Sequence, residues 1–233
     1  MGKKVFLGVG HGGSDSGAVK FLVEKDINLK MAFACGDFLV AHGVEVLMSR
    51  IKDENDPLTE EIKECNAYKP DLAVDIHNNA GGGDGFEAYC YSKGGVSRTL
   101  AENIESEVKA IGQNSRGVKT KLNGSGSDYF GFIREITCPS VICEGVFVDN
   151  KEDAAQADTD AKCTAFGVAY GKGILKTLGI DPNSTVKQPE PSTNVGSEPL
   201  YCVQVGAFKN RDNAEILLNE LKDKGYQPFI KKL

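Results

Sequence analysis

The sequence predicts an α/β protein: a single mixed, largely parallel sheet of about six strands flanked by helices, plus a small βαβ C-terminal module. Three observations carry this prediction. Short β-branched runs alternate with amphipathic stretches from residue 4 to residue 179. Runs such as Val5-Phe6-Leu7 and Leu72-Ala73-Val74 are continuously apolar, as strands covered on both faces must be. Residues 180–198 then hold three prolines and little that is apolar, which marks a linker before the last segment.

Taken in order, strands are expected at 4–8, 45–48, 72–76, 86–91, 129–133 and 140–143, and helices at 24–41, 58–68, 97–111 and 158–178. The first helix is the clearest. Ile27, Met31, Ala34, Cys35, Phe38 and Leu39 recur near a 3.6-residue period, and Gly43 stands where a helix would stop. After the linker, residues 200–205 read as a strand, 212–224 as a helix stopped by Gly225, and 228–230 as the start of another strand. The domain plan is therefore 1–179, a linker at 180–198, and a module at 199–233. A βαβ unit of about 35 residues buries too little surface to stand alone.

Composition narrows the function. The net charge of −6 gives no reason to expect nucleic acid as a partner. No apolar run approaches the ~18 residues of a membrane span, so no membrane insertion is expected. A strand begins almost at Lys4, leaving no room for a signal-peptide core, so synthesis in the cytoplasm without an export signal is expected. The seven cysteines are odd in number and scattered singly inside apolar segments, which argues for small core residues in a reducing compartment.

Two histidines stand where α/β proteins build their sites, each closing an apolar run and opening a Gly- or Asn-rich loop. They are His11, before Gly12-Gly13, and His77, before Asn78-Asn79. With Glu24 at the head of the long helix they offer two imidazoles and a carboxylate, a donor set suited to Zn²⁺ that leaves one position open. Glu144, ending the run Val141-Ile142-Cys143, is a candidate general base at the same sheet edge. Each residue also has a purely structural reading. His77 can be a hydrogen-bonded core histidine, Glu24 a first-turn carboxylate complementing the helix dipole, and Glu144 the partner of a lysine. His42, followed by Gly43, reads as a helix-end residue. Gly8-Val9-Gly10-His11-Gly12-Gly13 matches the dinucleotide fingerprint, but Ser14-Asp15-Ser16-Gly17 is turn chemistry where that fingerprint needs a helix.

Residues 4–178 resemble the zinc-dependent N-acetylmuramoyl-L-alanine amidase type 3 family. The resemblance lies in Gly10-His11-Gly12-Gly13 with Asp15 and Gly17-Ala18, in Glu24-Lys25-Asp26-Ile27-Asn28-Leu29, and in Gly43 to Arg50 with Asp53. It continues through Ile76-His77-Asn78-Asn79-Ala80, Arg116-Gly117-Val118-Lys119 and Pro139 to Glu144, then Phe147 and Asn150. It implies that His11, Glu24 and His77 bind zinc and that Glu144 is the catalytic carboxylate. The implied reaction is cleavage of the amide between N-acetylmuramic acid and L-alanine of the peptidoglycan stem peptide. Three residues depart from the family pattern: Ser16 replaces a common proline, Asp75 a small hydroxyl residue, and Glu61 an arginine. Arg116, Arg134 and Asn79 are candidates for substrate contacts.

The segment Tyr201 to Phe208, with Ala214, Leu217 and Gly225-Tyr226, resembles half of a sporulation-related repeat (SPOR) domain, which implies cell-wall binding. Its open edge suggests a homodimer formed by strand pairing. A phage or prophage endolysin, released to the wall when the membrane opens, fits a chain without an export signal; an autolysin is the other reading. Two further functions remain open at this stage: a zinc peptidase acting within stem peptides, and a non-catalytic cell-wall-binding protein.

Overall fold

Six strands form one mixed sheet in the order β2-β1-β3-β6-β4-β5. They are β1 (Lys4–Val9), β2 (Glu45–Met48), β3 (Leu72–Asn79), β4 (Phe86–Cys90), β5 (Ser115–Lys119) and β6 (Ser140–Phe147). All neighbours run parallel except β4 and β6, which are antiparallel. The computed structural model describes residues 2–184, the helix α7 (Arg211–Asp223) and Pro228. The chain divides into two units, Met1–Gln188 and Pro189–Leu233. The strands expected at 200–205 and 228–230, with the pairing edge they would offer, lie outside the described residues apart from Pro228. Among the described residues no helix is long and apolar enough to cross a membrane.

Helices α1 (Glu24–Ala41), α3 (Val96–Ala110) and α6 (Asp160–Leu178) cover one face of the sheet. Their apolar sides close a core around Val5, Leu7, Val74, Phe86, Phe166 and Tyr170. On the other face α2 (Leu58–Tyr68) and α4 (Gly131–Glu135) bury Phe6, Ile62, Ala73, Phe132 and Ile142. A fully buried Phe contributes about 1.5–3 kcal/mol by leaving water, so both layers stabilise the sheet that carries the site. A one-turn helix, α5 (Lys151–Ala154), is capped by Asn150 Oδ1, which accepts from the backbone N–H of Glu152 and Asp153.

Two expectations need correction. Residues 129–133 do not form a strand. Phe132, Ile133 and Ile136 all enter one apolar cluster, a spacing only a helical turn can put on one side, and α4 is the result. The sixth strand is instead Ser115–Lys119, an edge strand whose polar Ser-Arg-Gly-Val-Lys pattern hides it. There Gly117, at φ 92°, sits where the pairing register with β4 shifts. Two strands also run further than the sequence suggests. Strand β3 extends to Asn79 and β6 to Phe147, so His77 and Glu144 lie within paired strands rather than just past them.

Candidate metal centre and catalytic carboxylate

The site forms where β1, β3 and β6 approach their C-terminal ends, the edge at which open α/β sheets bind ligands. His11 stands two residues past β1 with φ 62°, a left-handed conformation rare for a residue with a side chain. Its neighbours hold that conformation in place. Arg50, buried, donates to the carbonyls of Val9 at 3.0 Å, Gly10 at 3.3 Å and Lys25 at 2.8 Å. The buried Asn28 side chain donates to Gly10 O at 2.9 Å and accepts from Asn78 at 2.7 Å.

Glu24 is the first residue of α1 and is 4% exposed. Its Oε2 accepts from the backbone N–H of Ala18 at 2.8 Å and its Oε1 from that of Asn78 at 3.0 Å. The same Oε1 lies 3.2 Å from His11 Nε2 and 3.1 Å from His77 Nδ1. One ligand atom from each of His11, Glu24 and His77 therefore falls within 4.8 Å of the others. The remaining ring nitrogens face carboxylates: His11 Nδ1 is 2.9 Å from Asp15 Oδ2, and His77 Nε2 is 3.3 Å from Asp75 Oδ2. Metal-binding imidazoles characteristically give their second N–H to such a carboxylate, which fixes the tautomer. Two imidazoles and a carboxylate, held so, fit a zinc ion.

Two glycines make room for this cluster. A Cβ on Gly10 would lie 2.2 Å from the His77 ring, and one on Gly17, at φ 61°, 2.5 Å from Glu24 Oε2. Gly10→Ala is expected to displace the His77 ring, lower zinc affinity by about tenfold or more, and leave the far-UV circular dichroism unchanged. Isothermal titration with zinc measures this; unchanged affinity would mean that the ring is not confined.

The electrostatics follow from burial and pairing. Burial alone would raise the Glu24 carboxyl, but hydrogen bonds from His11 and His77 outweigh it and hold the group well below the usual carboxylate range. The Glu24 hydrogen bond raises His11 against its partial burial. Burial would lower His77, yet the Asp75 charge and its hydrogen bond raise it well above its ordinary value.

Glu144 pairs in register with His77 across β3 and β6, so the two side chains share one face of the sheet. It lines a cleft of about 330 Å³ together with His11, His77, Asp75, Glu61, Phe130 and Phe132. Burial pushes its carboxyl up to about 7; His77 opposes this, while Glu24, Asp75 and Glu87 add to it. A carboxyl poised near neutrality beside a metal-binding cluster has the properties of a general base. The lysine on that side, Lys119, pairs instead with Glu87 at 2.5 Å.

Two of the three departures from the family pattern, Glu61 and Asp75, line this cleft. Glu61 and Asp75 are 5% and 3% exposed, and Glu61 Oε1 and Asp75 Oδ1 have no hydrogen-bond partner among the described residues. Burial, then the Asp75 charge, pushes Glu61 well above the usual carboxylate range. Of the candidate substrate contacts, Arg134 braces its own loop, donating to the carbonyls of Asp128 and Tyr129, both at 2.9 Å. Arg116 and Asn79 both reach Glu87, beside Glu144. His42 is structural, with Nδ1 2.7 Å from Phe38 O at the end of α1. Asp15, Asn28, Arg50 and Asn78 all stand within the motifs that carry the family resemblance, but nothing in the sequence shows which backbone or side-chain groups they hold.

A largely parallel sheet covered on both faces, with a His–Glu–His cluster and an elevated carboxyl at its C-terminal edge, has the donor set and the candidate base that metal-assisted hydrolysis requires. Comparison with known proteins makes the assignment specific. Residues 5–176 match the N-acetylmuramoyl-L-alanine amidase family and residues 197–232 the SPOR domain, and the chain belongs to that amidase family. It is 32% identical over 232 residues to the N-acetylmuramoyl-L-alanine amidase CwlM of Bacillus licheniformis, covering 97% of this chain and 84% of that protein. It is also 32% identical over 208 residues to the endolysin of Bacillus phage SPP1, covering 88% of this chain and 77% of the endolysin. Among solved structures, Cwp6 from Clostridium difficile superposes with a TM-score of 0.75 at 36% identity, over 76% of this chain and 30% of the longer Cwp6 chain.

Proposed function

We propose that the protein hydrolyses the amide joining the lactyl group of N-acetylmuramic acid to L-alanine of the peptidoglycan stem. In this reading His11 Nε2, Glu24 and His77 Nδ1 hold zinc, and Glu144 is the catalytic carboxylate. The observation that carries it is that those three donors lie within 4.8 Å of one another, with His77 the register partner of Glu144 and with His11, His77 and Glu144 lining one cleft. Zinc in such a site supplies a Lewis acid for the amide carbonyl and an acidified water near neutral pH. Glu144 takes the water proton and returns it to the departing alanine nitrogen, which a carboxyl near 7 does in both directions. Asp15 and Asp75 keep the two imidazoles in their binding tautomers. Residues 1–179 form the catalytic domain, 180–198 the linker, and 199–233 a SPOR-like segment that holds the enzyme on the wall. The relatives include an endolysin and a bacterial amidase, and either biological role places the reaction at the cell wall.

The test is metal dependence. Chelation abolishes release of stem peptides from purified peptidoglycan, and zinc restores it; full activity after complete chelation contradicts the proposal. Proton bookkeeping gives a second readout. Both histidines are raised above 6.5 in the metal-free protein, so zinc must displace protons even near neutrality. Affinity therefore falls as pH drops, and titration at pH 6.5 in two buffers of different ionisation enthalpy shows release of more than one proton per zinc.

A further inference from the structure

Next to Glu144, strands β4 and β5 carry a charge arrangement that the hydrolytic step does not use. Glu87, on β4, is the register partner of Glu144 and its side chain is 4% exposed. Two cations from β5 converge on its Oε1: Arg116, through Nε, and Lys119, through Nζ. Tyr89 OH and Asn79 Nδ2 occupy Oε2, at 3.2 Å and 3.3 Å. One carboxylate thus serves two cations, leaving a net charge of +1 next to Glu144. Unlike Glu87, those cations reach solvent, with side chains 45% and 31% exposed. The Arg116 guanidinium carbon lies over the Phe147 ring, 5.3 Å from its centre, a cation–π contact. Glu87 engages Nε alone, and the Nη edge has no hydrogen-bond partner among the described residues. That edge is the fork that takes a carboxylate bidentately.

We propose that Arg116 and Lys119 form a carboxylate-binding rim. It selects stem peptides whose residue after L-alanine carries a free α-carboxylate over those in which that group is a carboxamide. This rests on the amidase reading above. The reach is right: β5 lies two strands, about 10 Å, from β6. An extended chain places the second stem residue about 7 Å from the scissile nitrogen, and two long side chains bridge the difference. A carboxamide offers the fork one neutral acceptor and a donor that the cations repel, so binding to it is weaker.

The experiment compares kcat/KM for two disaccharide-tetrapeptide muropeptides that differ only in D-glutamate or D-isoglutamine at the second stem position. Wild type prefers the acid by about tenfold or more, the scale of one charged hydrogen bond. In the Arg116→Gln, Lys119→Gln double variant the ratio falls to near one. Glu87→Gln moves it the other way, because both cations lose their shared anion; a merely structural role for this network would lower both rates together and leave the ratio alone. A wild-type ratio near one, or equal losses on both substrates in every variant, overturns the rim while leaving the amidase reading intact. Cleavage of neither substrate at the lactyl–alanine amide overturns the amidase reading itself.

Discussion

Glu144→Gln lowers kcat by roughly 10²–10⁴-fold, the range expected when a positioned acid–base group is removed, and leaves zinc content unchanged. The amide side chain nearly preserves shape and polarity at the cleft wall, so the loss reports proton transfer rather than folding. The pH profile gives an independent check. As the proposed base Glu144 must be ionised, and burial pushes its carboxyl up to about 7, so kcat/KM is expected to fall on the acid side. A bound cation favours the ionised form, so the midpoint of that fall lies at or below about 7. Metal content by mass spectrometry and a pH profile of muropeptide cleavage measure both effects. A variant within tenfold of wild type would remove Glu144 from the mechanism.

Glu24→Ala has the second large effect, and it combines two losses. The variant lacks one of three donors, so zinc no longer co-purifies and activity disappears with it. It also orphans the backbone N–H groups of Ala18 and Asn78, at about 1–3 kcal/mol for each donor that stays buried. For a unit of this size each kcal/mol lowers Tm by about 2–4 °C. The pH dependence has a definite sign. Glu24 is held below its ordinary value in the folded protein, so its contribution is present above the unfolded pKa near 4.5 and is lost as pH falls below it. Metal-free wild type and variant therefore differ in Tm at pH 7, and the difference narrows progressively as pH falls below about 4.5. Full zinc occupancy in the variant would exclude Glu24 as a ligand.

The sheet was legible in the sequence because buried parallel strands must be apolar on both faces, and the runs at β1, β3 and β6 say so directly. Legibility failed where that rule does not apply. Strand β5 is an edge strand and tolerates Ser115, Arg116 and Lys119, while Phe130 to Ile133 is too short an apolar cluster for its period to be read. For the site, His11 and His77 follow apolar runs and Glu24 opens a long helix, so their positions follow from the chain's own punctuation. The partners of those groups do not. That Asp15 meets one imidazole and Asp75 the other depends on the left-handed turn at His11 and on the pairing of β1 with β3. Glu87 is hidden for the same reason: only the antiparallel register of β4 and β6 sets it opposite Glu144.

The central claim concerns one bond, and mass spectrometry of the ends released from purified peptidoglycan reads that bond directly. Zinc-loaded enzyme is expected to release free stem peptides bearing a new N-terminal L-alanine and to leave intact lactyl groups on the glycan, both absent after chelation and with Glu144→Gln. New N-termini at other stem residues, or intact stems under all conditions, would contradict it.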